Sequence, residues 1–159
     1  MRGKFDARLS SLGRAHDVLS AKKWEGADIR EIIEATMEPF ASAAPDRIRL
    51  SGPSIALSSR SVVMLSMVLH ELATNATKYG ALSTPDGRVA IDWTLQGGDK
   101  VELFWSELDG PPVEKPAHAG FGSTLIEKGF AAQIGGTATL RFNPKGVTCV
   151  LEFSPRHFG

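Results

Sequence analysis

A glutamate, an asparagine and a lysine recur at roughly one-turn intervals in the run His70-Glu71-Leu72-Ala73-Thr74-Asn75-Ala76-Thr77-Lys78-Tyr79-Gly80. A carboxylate, an amide and an ammonium so spaced lie along one side of a helix. Asn75 offers a hard amide oxygen of the kind that suits Mg²⁺, an ion that keeps several waters and takes one or two protein ligands beside phosphate oxygens. Glu71, one turn earlier, can hold a metal-bound water or polarise a nucleophile. Lys78 can meet a phosphate as a point charge. The same three residues also fit the solvent edge of an ordinary amphipathic helix, and the helix alone does not decide between the two.

Two further groups could do chemistry. In Trp105-Ser106-Glu107-Leu108-Asp109-Gly110-Pro111-Pro112 a strand ends at an acidic pair and a Gly-Pro turn begins. A carboxylate at a strand end, above an apolar sheet face, can accept a hydrogen bond from an exocyclic amine such as that of adenine; Glu107 equally suits a turn, and Trp105 suits plain sheet packing. In Gly120-Phe121-Gly122-Ser123-Thr124 the glycines let backbone come close to a ligand, and Ser123 or Thr124 can cap a following helix whose free N–H groups bind phosphate. This is neither a Walker A loop, since no Gly-Lys-Ser/Thr follows, nor a dinucleotide fingerprint, since no strand leads into it.

Periodicity supplies the elements that must position these groups. Leu65, Val68, Leu69, Leu72 and Ala76 fall at steps of three and four, which predicts one helix from about Ser59 to Tyr79 with a buried stripe, ended by Gly80 in a C-cap position. A shorter helix is expected from Asp28 to Met37, with Pro39 ending it. Arg47–Leu50 and Ile55–Leu57 read as short strands joined by a Gly52-Pro53 turn. Arg88–Leu95 and Lys100–Ser106 alternate with period two around a Gly97-Gly98-Asp99 turn, and Thr137–Phe142 and Val147–Phe153 form a second hairpin around Asn143-Pro144-Lys145-Gly146. Between the hairpins come a Pro/Gly-rich loop from Asp109 to Gly122 and a helix from about Ser123 to Ile134. Phe5, Leu9, Leu12, His16 and Leu19 have the spacing of a coiled-coil seam, and Lys22-Lys23-Trp24-Glu25-Gly26 breaks it. The order of elements predicts an α+β fold, a two-layer sandwich.

Composition narrows the function classes. The chain has 159 residues, enough for one domain with a real core. Its 18 basic and 18 acidic residues balance, so no basic excess points to nucleic acid or an anionic membrane surface. Cys149 is the only cysteine, which precludes an internal disulfide and suits a reducing compartment; it sits in a run that reads as a buried strand. No segment approaches the roughly 20 apolar residues of a membrane span, and no secretory apolar region opens the chain. A cytoplasmic location is expected.

The order of the three motifs says more than any one of them. A helix with Glu and Asn, a strand end with an acid, a glycine loop before a helix and then a hairpin resemble the Bergerat ATP-binding fold. Within that group the chain is similar to the HWE-type sensor histidine kinases, through His70 in His70-Glu71-Leu72-Ala73-Thr74-Asn75-Ala76 and through Trp105-Ser106-Glu107. The resemblance spans about Leu9 to Pro155. It takes in Arg14-Ala15-His16-Asp17, Trp24-Glu25-Gly26-Ala27 and Lys78-Tyr79-Gly80-Ala81-Leu82-Ser83.

The resemblance implies a sheet that is mixed and mostly antiparallel, with helices on one face. It divides the chain at residues 1–22, the end of the second helix of a dimerising, histidine-bearing hairpin, and 23–156, the catalytic domain. Asn75 would ligate Mg²⁺ at the ATP phosphates, with Glu71 beside it as metal-water ligand or base, and Lys78 would contact phosphate. Glu107 would recognise the adenine amine. Gly110, Gly120 and Gly122 would shape the nucleotide lid, with Ser123 and Thr124 near the phosphates. His70 would either line the site as a catalytic residue or pack against the sheet. Expected partners are the histidine-bearing hairpin of the same or a second kinase chain and a response regulator receiver domain; the fragment alone is expected to be monomeric.

Two departures stand out. Asp109 occupies a position where this type of loop usually carries glycine, and it brings an extra negative charge towards a triphosphate. The phosphoaccepting H-R-x-x-N type motif is absent, and His16-Asp17 does not occupy its place, so the histidine to be phosphorylated lies outside this chain. Two other readings compete with a histidine kinase domain. One is another ATP user, such as an anti-sigma-factor serine kinase or a conformational ATPase, which the W-x-E signature opposes. The other is a degenerate docking or phosphotransfer adaptor that does not bind nucleotide.

Overall fold

The computed structural model describes residues 27–42, 45–97, 99–112 and 136–155. Strand β1 (Ala27–Asp28) leads into helix α1 (Ile29–Ala41); a 3₁₀ turn (Pro45–Arg47) precedes β2 (Ile48–Ser51), and β3 (Ala56–Leu57) precedes α2 (Ser59–Lys78). A second 3₁₀ turn (Ala81–Ser83) then leads to β4 (Arg88–Gln96), β5 (Lys100–Leu108), β6 (Thr137–Asn143) and β7 (Gly146–Phe153). The expected N-terminal hairpin helix, the helix from Ser123 to Ile134 and the glycine loop with Gly120, Gly122, Ser123 and Thr124 lie outside the described residues.

Five strands form one sheet in the order β2-β4-β5-β7-β6. Only the β2–β4 pair is parallel among them; β4–β5, β5–β7 and β6–β7 are antiparallel. The period-two alternation decides what faces inward. Val89, Ile91 and Trp93 of β4, Val101, Leu103 and Trp105 of β5, and Cys149, Leu151 and Phe153 of β7 are all buried. They meet Ile29, Ile32, Ile33 and Met37 of α1 and Leu65, Val68, Leu69, Leu72 and Ala76 of α2 in one core. The helices therefore cover one face, and the other face keeps Asp92 and Thr94 exposed and Phe104 and Val150 half-buried. This is the expected two-layer α+β sandwich.

Helix starts are set by side-chain caps. Asp28 Oδ2 accepts the Arg30 N–H at 3.0 Å, while its Oδ1 accepts the Ile55 N–H at 3.0 Å, so one carboxylate both starts α1 and holds it to the segment before β3. Ser58 Oγ accepts the Ser61 N–H at 3.3 Å at the start of α2.

Three expectations need correction. Helix α1 does not stop before Pro39 but runs through it to Ala41. Proline this near the C-terminus removes a single ladder bond, and Phe40 gains a ring contact with His70 on α2 by staying helical. The strands around Gly52-Pro53 do not share a sheet: β2 joins β4, while β3 pairs with β1 in a separate two-stranded sheet. Strand β5 continues two residues beyond Ser106, so Glu107 is a strand residue and not a turn residue.

The Gly52-Pro53 segment serves instead to cover Trp93. The indole Nε1 of Trp93 donates to the Pro53 carbonyl at 2.7 Å, and the Arg30 guanidinium lies 5.1 Å from the ring centroid. A Cβ on Gly52 would fall 2.2 Å from the indole. Gly52→Ala should therefore lower stability by about 1–3 kcal/mol, the usual scale of overpacking. A lower urea midpoint together with altered tryptophan fluorescence checks this.

Candidate functional site

Helix α2 presents its polar residues in a gradient. Glu71 is buried, Asn75 is half-buried and Lys78 is exposed, so the stripe runs from the interior to the surface along one side of the helix. A merely solvated edge would not bury its glutamate to 1% exposure. His70 is also buried, but its ring meets Phe40 of α1 edge-on, with centroids 5.6 Å apart and planes at 64°. The aromatic partner of His70 is thus on the neighbouring helix, not on the sheet.

Glu107 lies against the end of the same helix. It is 4% exposed, and each carboxylate oxygen has a protein donor. Oε1 accepts the Ala81 N–H at 2.9 Å, and Oε2 accepts the indole Nε1–H of Trp105 at 3.0 Å. The W-x-E spacing thus has a physical reason: residues two apart on a strand share a face, and here the indole orients the carboxylate. Burial raises the Glu107 pKa above the ordinary carboxylate value, while the hydrogen bonds from Ala81 and Trp105 pull the other way.

Gly80 lets these parts meet. The last turn of α2 closes with the Gly80 N–H donating to the carbonyls of Asn75, at 3.2 Å, and Ala76, at 3.1 Å. The expectation that Gly80 serves as a C-cap glycine needs refining, because its φ of −113° is open to any residue and Tyr79 holds the cap position. What excludes a side chain is space: a Cβ would stand 2.1 Å from Glu107 Oε1 and 3.1 Å from the Ala76 Cα. A Cβ on Gly146, whose φ is 148°, would likewise stand 2.2 Å from the Glu107 carbonyl oxygen. Gly80→Ala should separate Glu107 from the Ala81 N–H and cost about 1–3 kcal/mol, the scale of a buried polar group left unpaired. A fall in the urea midpoint larger than that of an exposed control such as Thr77→Ala checks it.

The segment after Gly80 packs around Ala81. Gly110 sits where a Cβ would be 2.5 Å from the Ala81 Cα, so its place against this loop explains the glycine there. Asp109 has φ 56°, the left-handed conformation that glycine usually fills and that Asp tolerates better than most residues. Its carboxylate is paired with Arg88 at 2.6 Å, so the extra negative charge has a cation beside it.

Among the sequence-selected residues, the structure brings Glu107 and Gly110 against the Gly80–Ala81 junction, just past the end of the helix that carries Asn75 and Lys78, and sets Glu71 one turn deeper in that helix. Sequence reasoning missed the donor role of Trp105, which the W-x-E spacing itself could have signalled. It also missed Arg47, whose partners lie 34 to 40 residues away and leave no local mark. Among the described residues no group of three or more His, Cys, Asp or Glu side chains could hold a metal ion. No helix among them is long and apolar enough to cross a membrane.

Residues 1–54 match the HWE histidine kinase family. A blue-light-activated histidine kinase of Brucella anthropi is 41% identical over 146 residues, which cover 90% of this chain and 30% of that protein. The chain therefore spans under a third of the length of that relative. The histidine kinase domain of the blue-light-activated kinase EL346 from Erythrobacter litoralis has the same fold, with a TM-score of 0.72 at 12% identity, covering 94% of this chain and 74% of that one. Histidine kinase ThkA, in a complex with the response regulator protein TrrA, matches with a TM-score of 0.53 at 15% identity over 80% of this chain and 40% of that one. The chain thus shares the fold of these histidine kinase domains and is similar in sequence to the HWE histidine kinases.

Proposed function

We propose that this chain is an ATP-binding catalytic domain that transfers the γ-phosphoryl group of ATP to a histidine outside it. The observation that carries this reading is the junction at Gly80, where a buried, oriented carboxylate touches the end of the helix bearing Asn75 and Lys78. Glu107 reads the adenine amine through the acceptor capacity that its two protein donors leave open, since a carboxylate has about four acceptor positions. Lys78, at the exposed end of the stripe, meets phosphate.

The donor set on α2 suits Mg²⁺. Asn75 and Glu71 supply hard oxygens one turn apart, which suits an ion that takes few protein ligands and completes its shell with phosphate and water. When bound, the ion neutralises phosphate charge. Asn75 and Glu71 would hold it. Gly120, Gly122, Ser123 and Thr124 are proposed to shape the lid over the phosphates. His70 is proposed to act by position: its contact with Phe40 locks α2, and so Asn75, against α1.

In the transfer, a neutral imidazole nitrogen of the acceptor bonds to the γ-phosphorus as the bond from phosphorus to the β,γ-bridging oxygen breaks, leaving ADP. Imidazole needs little activation near pH 7, so positioning and charge stabilisation carry the rate. The proposed acceptor is the histidine-bearing hairpin of the same or a second kinase chain, and the proposed onward partner is a response regulator receiver domain, as in the ThkA–TrrA pair. The charge of Asp109 argues slightly for the competing adaptor reading, but Arg88 pairs with that charge. Incubation of this chain with Mg²⁺, labelled ATP and a hairpin segment bearing the family's histidine tests the proposal. Acid-labile label on the hairpin is expected; acid-stable label on serine, or none, would contradict it.

A further inference from the structure

Arg47 makes an unusual set of contacts for a residue just ahead of a strand. Its Nε donates to the Gly87 carbonyl at 2.7 Å, and its Nη2 donates to the carbonyls of Ala81, at 3.0 Å, and Thr84. One planar guanidinium thus gathers three carbonyls from the single loop between α2 and β4. That loop is folded tightly on itself, because a Cβ on Gly87 would stand only 1.6 Å from the Ala81 oxygen. Ala81 is the shared point. Its carbonyl is held by Arg47, and its N–H is the donor to Glu107 Oε1. The chain of contacts therefore runs from guanidinium, through the loop that includes Ala81, to the carboxylate.

We propose that Arg47 is a positioning residue for adenine recognition: by pinning the 81–87 loop it fixes the Ala81 amide, and that amide holds the Glu107 carboxylate at the angle from which it reads the base. The proposal rests on the assignment of Glu107 to the adenine amine. Arginine is required because only its fork can donate to three carbonyls at fixed angles; lysine keeps the charge but supplies a point donor on a flexible stem. The hydrogen bonds of Arg47 go to the 81–87 loop and not to Glu71, Asn75 or Lys78, so its loss should act on base selectivity and spare the Mg²⁺-dependent triphosphate contacts.

The test compares binding of ATP with that of purine riboside triphosphate, which lacks the exocyclic amine, both with Mg²⁺, on the whole chain and its Arg47→Met and Arg47→Lys variants. The unmodified chain should prefer ATP by about tenfold or more, the scale of one hydrogen bond to a charged group. Arg47→Met should shrink that preference to about twofold while changing the affinity for the amine-free nucleotide less than about threefold, and Arg47→Lys should restore it only in part. A generally loosened fold would weaken both nucleotides alike and leave their ratio intact. An unchanged ratio in the variants, beside a clear preference in the unmodified chain, overturns the role of Arg47 alone. If the unmodified chain shows no preference, the assignment of Glu107 itself fails and the proposal falls with it. Should Arg47→Met not fold, the ratio measured on Arg47→Lys decides: full retention overturns the proposal, and a reduced preference supports it.

Discussion

Asn75→Ala should abolish most of the Mg²⁺-dependent part of ATP binding. Removal of outer partners of a bound metal already costs about 10- to 100-fold in affinity, and loss of a direct ligand should cost at least that much. The substitution is well suited to the question. Alanine is the strongest helix former, and the backbone carbonyl of Asn75, which accepts the N–H groups of Tyr79 and Gly80, is untouched. The helix end and its contact with Glu107 should therefore persist while the proposed metal ligand is gone. Calorimetric titration of a non-hydrolysable ATP analogue with and without Mg²⁺ separates the two parts. The variant should match the unmodified chain without Mg²⁺ and fall well below it with Mg²⁺. Equal binding by both chains in Mg²⁺ would remove Asn75 from the metal site.

Glu107→Gln should be the second large lesion, at the residue proposed to read the other end of the nucleotide. The pocket offers two donors, the Ala81 N–H and the Trp105 indole N–H. A glutamine has one acceptor oxygen, so its amide group must point hydrogens at one of those donors. Stability should fall by about 1–3 kcal/mol, and ATP affinity should fall about 10- to 100-fold, the range for a hydrogen bond to a charged group. Purine riboside triphosphate should be affected far less.

The same residue predicts a pH dependence. Burial raises the Glu107 pKa in the folded chain above its ordinary value. Between those two values the folded chain holds a proton that the unfolded chain releases. Through this group alone, stability is therefore lowest above the folded pKa, rises as pH falls through it, and is fully gained below the unfolded one. Adenine recognition runs the opposite way. The preference for ATP should fade on acidification at a pH above the usual glutamate range, before the fold is lost, and Glu107→Gln should show no such transition. Nucleotide titrations at stepped pH, with circular dichroism to monitor folding, check both signs.

Much of this arrangement was legible in sequence because it rests on local periodicity. The stripe from Leu65 to Ala76 specified α2, and the alternation in β4, β5 and β7 specified which side chains enter the core. What escaped was decided by contacts between distant segments. Nothing near Gly52 says that β2 pairs in parallel with β4 while β3 turns to β1. Pro39 looks like a stop until Phe40 is seen against His70. Gly80 looks like a cap glycine until Glu107 is seen where its Cβ would be.

The candidate site divides along the same line. Residue types and spacing on α2 and β5 pointed to Asn75, Lys78 and Glu107, because helix and strand periods place them. The left-handed φ of Asp109 accords with the glycine that this type of loop usually carries there. The hydrogen bond from Trp105 was not read, although the W-x-E spacing puts donor and acceptor on one face, and the three carbonyls on Arg47 depend on how a side chain is oriented after the layers pack.

The most direct test is a crystal structure of this chain with a non-hydrolysable ATP analogue and Mn²⁺ in place of Mg²⁺. Anomalous scattering should place the ion on the side-chain oxygen of Asn75, with the adenine amine facing Glu107. Nucleotide bound elsewhere, or an ion held without Asn75, would contradict the account.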